Sequence, residues 1–589
     1  MSNKLQRFYS VQNYGYIVNE ANEVTPTTVP KHPKNYFRSL SYTLSKGERT
    51  IDKQEEQANV IDKLLKTKLT RVVSIPNNDS KDIIIQPISS HHTTIETGIT
   101  HHAIKPGRQR WRWNLLFNLL VWLIVPFPLW IPFLSNQLAL YVIPVIQTIF
   151  VFMWVIIAIL AMKNAIILYI NRTHNFINDY LTSSITIRHL VAISCYKEPV
   201  ELILRSIQTI ANQTEVKRIT MVISFEERTP NVNEKCLQIE NKFKDCGFER
   251  LIFTIHPFGI ENEIPGKCSN ANYGLRMAVE QMVTEQQEKF EPEHVLVTTC
   301  DADSQFHPQY LAALTSKYLH DKQPLTTIYQ SPLFYNWNLD GLSFVTRVTG
   351  ILRSTLMLGA LIPFNINTMS IFSFSLRLAI DGNYVHPAYQ MDDIICLIRW
   401  MGVTQRRLKV RMIPVPVLSG PTCGNTIEQE IMEWARQARR WTIGAAEVFH
   451  YYVIKAKRMP CLSALSWGMC FLIYYGILLC TSGLYGLTSI LSMFLIIKNV
   501  PLSISYFMYA LFCIQMLTFL VAFIIDIFIP KLLNVKECIC FPRNLFHFLT
   551  TPFVLLGYSL VEFYALHEVV IRGKKVCKHG ASNKNSLAS

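Results

Sequence analysis

The sequence has no cysteine framework. Its 14 cysteines are scattered through 589 residues without paired spacing, and many fall in apolar stretches. We read them as reduced thiols, which excludes a disulfide scaffold. Cys538-Ile539-Cys540 is too sparse to hold zinc. The pairs His91-His92 and His101-His102 have no cysteine or carboxylate cluster around them, so they belong to a solvated tail rather than a metal centre. An apolar run near the N-terminus is also lacking, so the apolar stretches present lie too far along the chain to act as a signal peptide. Basic patches away from apolar sequence are scarce too, although the net charge is +15. Arg108, Arg110 and Arg112 precede one apolar stretch, Lys455, Lys457 and Arg458 precede another, and Arg572, Lys574, Lys575 and Lys578 follow the last. Such placement favours a cytosolic-side membrane anchor over a nucleic-acid footprint, so no nucleic-acid partner is expected.

Apolar sequence is what the chain has in quantity: 50% of residues are hydrophobic and mean hydropathy is +0.19. Trp113 to Leu134 and Leu138 to Ile170 are each long enough to cross a hydrocarbon core of about 30 Å. A second block runs from Leu462 to about Val570, with interruptions at Gly483, Lys498-Asn499, Pro501 and Lys531 to Arg543. Divided as Leu462 to Cys480, Leu484 to Ile497, Leu502 to Pro530 and Phe546 to Val570, it predicts about four spans and about six in all. The expected plan is a mostly disordered cytosolic region over 1–110, two transmembrane helices in 111–172, a cytosolic domain over 184–459, a helical membrane region over 460–570 and a basic tail over 571–589. A lipid bilayer, plasma membrane or endomembrane, is the expected setting.

The middle region changes character. Leu190 to Ser194, Ile219 to Phe225 and Leu251 to His256 are strand-like apolar runs, separated by helical patterns at Val200 to Gln213 and Asn233 to Cys246. Alternation of this kind predicts βαβ units and a mostly parallel sheet, an α/β fold whose ligands bind beyond the carboxyl ends of the strands. The strand Val295 to Cys300 ends in Asp301-Ala302-Asp303, two hard oxygen ligands suited to Mg²⁺ or Mn²⁺; a solvated strand end has the same appearance. Gly266-Lys267 opens a helix, where free N–H groups and the Lys charge suit an anion, as would an ordinary cap. Asp392 and Asp393 begin another helix, as capping acids or as a general base for a hydroxyl acceptor. Gln437, Arg440, Trp441 and Gly444 share one face of a later helix. They bring an amide, a cation and an aromatic plane together, although a basic amphipathic helix on the membrane would read alike.

Taken in order, Tyr196-x-Glu198-Pro199, the acidic strand end at Glu226-Glu227, Gly266-Lys267-x-x-Asn270-x-Asn272, Asp301-x-Asp303, Asp392-Asp393 and Gln437-x-x-Arg440-Trp441 resemble the membrane-integrated inverting family 2 glycosyltransferases, which include cellulose, chitin and hyaluronan synthases. The resemblance covers about Ile187 to Gly444. It implies a GT-A-type, Rossmann-like cytosolic catalytic domain inserted between helical transmembrane segments, a nucleotide-diphospho-sugar donor (a UDP-sugar favoured) and a divalent metal. It also implies roles. Asp393 would be the catalytic base beside Asp392, and Asp301 and Asp303 would hold nucleotide and metal-diphosphate. Lys267, Tyr196, Glu198, Glu226 and Glu227 would bind the nucleotide, and Gln437, Arg440 and Trp441 the acceptor and diphosphate. Two departures stand out: Glu226-Glu227 replaces the family's usual Asp after the second strand, and no F-x-V-T-x-K gating segment follows Trp441. The expected activity is sugar transfer to a saccharide acceptor with export of the polymer. Transfer to a lipid of the ceramide type and a non-catalytic subunit are the alternatives.

Overall fold

The computed structural model describes residues 72–75, 118–260, 263–286, 290–335, 342–532 and 541–572. The two histidine pairs and nearly all of the basic tail lie outside these residues. So does the expected disorder of 1–110, except at Val72–Ile75, which forms a strand.

The strands are β1 (Val72–Ile75), β2 (Arg188–Cys195), β3 (Ile219–Glu226), β4 (Arg250–His256), β5 (Val295–Asp301), β6 (Gln305–Phe306), β7 (Thr327–Gln330), β8 (Leu333–Phe334), β9 (Phe372–Ser375), β10 (Lys409–Met412) and β11 (Val417–Leu418). They form an 8-stranded sheet in the order β1-β4-β3-β2-β5-β9-β7-β10 and a 3-stranded sheet β6-β11-β8. Strands β4, β3, β2 and β5 run parallel. The helices Val200–Ala211, Val232–Phe243 and Lys267–Gln286 provide the crossovers between them. Parallel strands covered on both faces should read as unbroken apolar runs, and β3 is buried at every position. The antiparallel β9 separates β5 from β7. In register, Ser194 of β2 lies opposite Asp301, and Cys195 opposite Phe225. The carboxyl ends of β2, β3 and β5 therefore finish level, leaving a crevice above them.

Among the described residues, five helices are long and apolar enough to cross a membrane: Asn136–Thr173, Phe344–Leu361, Cys461–Ile496, Leu502–Ile529 and Phe541–Arg572. Three differences from the expected spans have local causes. The stretch from Trp113 to Leu134 is not one helix in its described part: it breaks at Val125-Pro126, and the short helix Phe127–Leu134 stops at Ser135, whose hydroxyl caps the next helix by accepting from Leu138 N at 3.2 Å. Gly483, expected to interrupt, lies inside one continuous helical run from Cys461 to Ile496. A Cβ there would lie 2.8 Å from Ser559 Oγ, so that glycine serves close helix packing, and the described residues of the later block hold three long helices where four segments were expected. Finally, Phe344–Leu361 lies within the region expected to be wholly extramembranous. It is packed on nearly all sides, its Gly359 seated against the Ile157 backbone of the Asn136–Ile170 helix.

Candidate active site

Asn270 builds the floor of the crevice. Its side-chain amide donates to Ser224 O at 2.8 Å and Cys195 O at 3.3 Å, tying the first turn of the Lys267–Gln286 helix to the ends of β2 and β3. One turn later, Gly274 has no Cβ; one would sit 1.9 Å from Ser224 Oγ. The two contacts clamp the helix start, and Gly266, at φ 151°, turns the chain into it. Lys267 is held over the crevice as a result. Its Nζ lies 2.9 Å from Asp301 Oδ1 and 3.1 Å from Asp392 Oδ2.

Asp303 is 1% exposed. Gly420, just beyond β11, lies so close that a Cβ there would be 2.4 Å from Asp303 Oδ2. On the opposite wall, Thr368 Oγ1 donates to Asp393 O at 3.0 Å, and Gly444 accommodates Met391, whose Cγ a Cβ would approach to 2.3 Å. The acidic pair is thus wedged between the sheet and the Ile427–Lys455 helix. Burial, then the neighbouring Asp392 charge, push the Asp393 carboxyl up to about 7, and Lys267 offsets part of this. Burial likewise raises Asp392, which Lys267 opposes. The same two carboxylates together with Asp301 hold the Lys267 ammonium well above its ordinary value despite its burial.

A cavity of about 230 Å³ connects these groups. Tyr196, Glu198, Glu226, Lys267, Asp301, Asp303, Asp392, Asp393, Gln437, Arg440 and Trp441 all line it. Glu227 does not. Its Oε2 instead accepts from Phe258 N at 2.8 Å, in a separate small hollow outside the cavity, whereas Glu226, also held by Arg228 at 3.0 Å, borders both. Adjacent residues at a strand end point to opposite faces, which separates the two glutamates. Glu198 curls back to accept from Tyr196 N at 2.6 Å. Thr422 donates to Gln437 Oε1 and fixes that amide.

Several lining groups were not anticipated. Gly420, Thr422, Arg353, Tyr335 and the wall of Tyr474, Tyr475 and Tyr558 reach the cavity from segments far apart in the chain. Asn270 was visible in the Lys-x-x-Asn spacing, but its work is to join strands. Among the described residues no cluster of three or more His, Cys, Asp or Glu could hold a metal without help. Asp301 and Asp303 nevertheless fit one. They supply two carboxylates, Asp303 is pressed into a cradle that only a glycine at 420 leaves open, and Mg²⁺-type ions bind through one or two carboxylates with substrate phosphates and water completing the shell.

No family model matches the chain, and no curated protein matches it. Among solved structures it is similar to the mannosyltransferase PcManGT from Pyrobaculum calidifontis, in complex with GDP-Man and Mn²⁺. Identity is 14% and the TM-score 0.36, over 65% of this chain and 100% of that one. It is also similar to glucosyl-3-phosphoglycerate synthase from Mycobacterium tuberculosis, in complex with Mn²⁺, UDP and phosphoglyceric acid. There the identity is 12% and the TM-score 0.27, over 47% and 81% of the two chains. Similarity at this level leaves the functional reading to the chemistry of the cavity.

Proposed function

We propose that the chain is a membrane-bound, metal-dependent inverting glycosyltransferase of the GT-A type. It moves a sugar from a nucleotide-diphospho-sugar, a UDP-sugar favoured, to a hydroxyl acceptor at the cytosolic face of the plasma membrane or an endomembrane. The observation that carries this reading is the meeting, in one cavity, of a paired-carboxylate strand end, a lysine at a helix start, a buried acid with its proton affinity raised to about 7, and an Arg-Trp helix face. These are the parts a displacement at an anomeric carbon needs.

In the mechanism, Asp301 and Asp303 would hold Mg²⁺ or Mn²⁺, which when bound neutralises charge on the leaving diphosphate. Lys267, tied to Asp301 and Asp392, keeps those carboxylates from repelling the donor. Tyr196, Glu198 and Glu226 border the nucleotide side, at the ends of β2 and β3. Asp393 accepts the proton of the acceptor hydroxyl as its oxygen forms a bond to the anomeric carbon. The bond from that carbon to the diphosphate oxygen breaks, with its electron pair leaving on the nucleoside diphosphate. Trp441 offers a plane on which the acceptor sugar stacks, and Gln437 and Arg440 orient it. A base whose pKa lies near neutrality is matched to this role.

Polymer synthesis with export is the leading form of the activity, since the cavity wall continues into Tyr474, Tyr475 and Tyr558 of the apolar helices. Purified protein in detergent with Mn²⁺ and a panel of radiolabelled nucleotide sugars tests it. A high-molecular-weight product is expected. An organic-extractable product would replace polymer synthesis with lipid glycosylation, and no turnover with any donor would remove the enzyme reading.

A further inference from the structure

Lys267 and Arg440 are cavity cations that lie near carboxylates: Lys267 contacts Asp301 and Asp392, and the Asp301 charge acts on Arg440. Arg353 is different. Its guanidinium carbon lies 3.8 Å from the ring centroid of Trp441 and 4.9 Å from that of Tyr335. Among the described residues it makes no ion pair, and its in-plane N–H groups have no protein acceptor. Stacking on two aromatic faces holds the group in place while leaving its donor rim unused.

The helix that carries Arg353 is unusually well fixed. Ser343 N and Oγ donate to Glu430 Oε1 at 3.0 and 2.8 Å, anchoring its start. Gly350 lies against Tyr335, and Gly359 against the Ile157 backbone. Thr346, on the same face as Arg353 by helical spacing, lines the cavity with a buried hydroxyl that has no protein partner. A cation and a hydroxyl donor on one rigid face, both lacking protein acceptors, make a subsite for an oxyanion. On the transferase reading, the oxyanion that enters this cavity is the diphosphate of the donor.

We infer that Arg353, clamped between Trp441 and Tyr335, binds the diphosphate of the nucleotide and receives the negative charge that builds on it as the sugar leaves. This rests on the transferase reading. It adds a cation from the Phe344–Leu356 helix that no motif in the sequence marked, and one that lines the same cavity as Lys267. Trp441 then has two duties, stacking the acceptor with one part of its surface and holding Arg353 with another.

The test measures equilibrium binding of UDP, GDP, UMP and GMP, with Mn²⁺, to full-length protein in detergent, for wild type, Arg353→Met and Arg353→Lys. Loss of a charge-assisted contact should weaken the preferred diphosphate about tenfold or more. The matching monophosphate should bind as before, and kcat should fall more than KM rises. Arg353→Lys, which keeps charge but loses the flat stacked fork, should recover part of the diphosphate preference and serves if Arg353→Met does not fold. Unchanged diphosphate binding in both variants overturns the inference and leaves the transferase reading standing. Failure of wild type to bind any of the four nucleotides overturns both.

Discussion

On the proposed function, protonation and catalysis meet at Asp393. Its carboxyl is raised to about 7 by burial first and by Asp392 second. A base must be deprotonated to accept a proton, so kcat/KM should fall as pH drops below about 7. Asp392→Asn removes the second cause, and the acid limb should move to lower pH in a pH–rate profile, although Lys267 loses part of its pairing. Asp393→Asn should reduce transfer by roughly 10²–10⁴-fold while donor binding persists; near-normal turnover would remove Asp393 as base. Linkage supplies an independent readout. A carboxyl whose folded pKa is raised stabilises the fold at low pH, and that contribution is lost as pH rises through the folded value. The Asn variant should therefore be the more stable protein above pH 7 and lose this advantage below it, as measured by Tm in detergent across pH. At the proposed metal end, Gly420→Ala would drive a methyl into the Asp303 carboxylate. Mn²⁺-dependent donor binding should weaken markedly, while Mn²⁺-independent nucleotide binding changes little. Equal Mn²⁺ dependence in variant and wild type would show that Asp303 is not a metal ligand.

Elements explain why some of this could be seen in the sequence. Strands β2 to β5 were legible because a buried parallel strand is a short apolar run, and the run ends where its carboxylates begin. Asp301, Asp303, Lys267 and the Asp392-Asp393 pair all sit at element ends, where composition changes abruptly. Arg353 and Gly420 sit in segments whose local pattern says nothing about a site; their meaning comes from what the fold brings against them. Gly483 is the converse case, because a glycine among apolar residues is either a helix break or a close contact, and only its neighbour Ser559 decides which. The Phe344–Leu356 helix depends likewise on a distant residue, Glu430, which is 2% exposed and accepts from Ser343 at its start. Glu430→Leu leaves those donors buried without a partner and should cost about 1–3 kcal/mol. Glu430→Gln, which keeps an acceptor, should cost less, and Tm of the two variants measures the difference. If Arg353 works from this helix, Glu430→Leu should also lower kcat.

At the scale of the molecule, sheet and apolar helices share one site. Arg347 of the Phe344–Leu356 helix and Asp526 of the Leu502–Leu532 helix form an ion pair with side chains 5% and 6% exposed, buried between the two helices. Cys461–Ile496 and Phe541–Arg572 contribute Tyr474, Tyr475 and Tyr558 to the cavity that Asp393 and Trp441 also line. A soluble transferase merely tethered by its helices would need none of these contacts. A chain ended at Met459 keeps every carboxylate of the proposed donor side and loses the aromatic wall and the partner of Arg347. Such a chain should transfer no sugar, even when held in detergent. Supplying residues 460–589 as a separate chain in the same membrane should restore transfer, because the missing wall reaches the cavity by packing and not by the covalent link at Pro460. Full turnover by the shortened chain alone would place the acceptor wholly on the sheet side and detach the apolar helices from the chemistry.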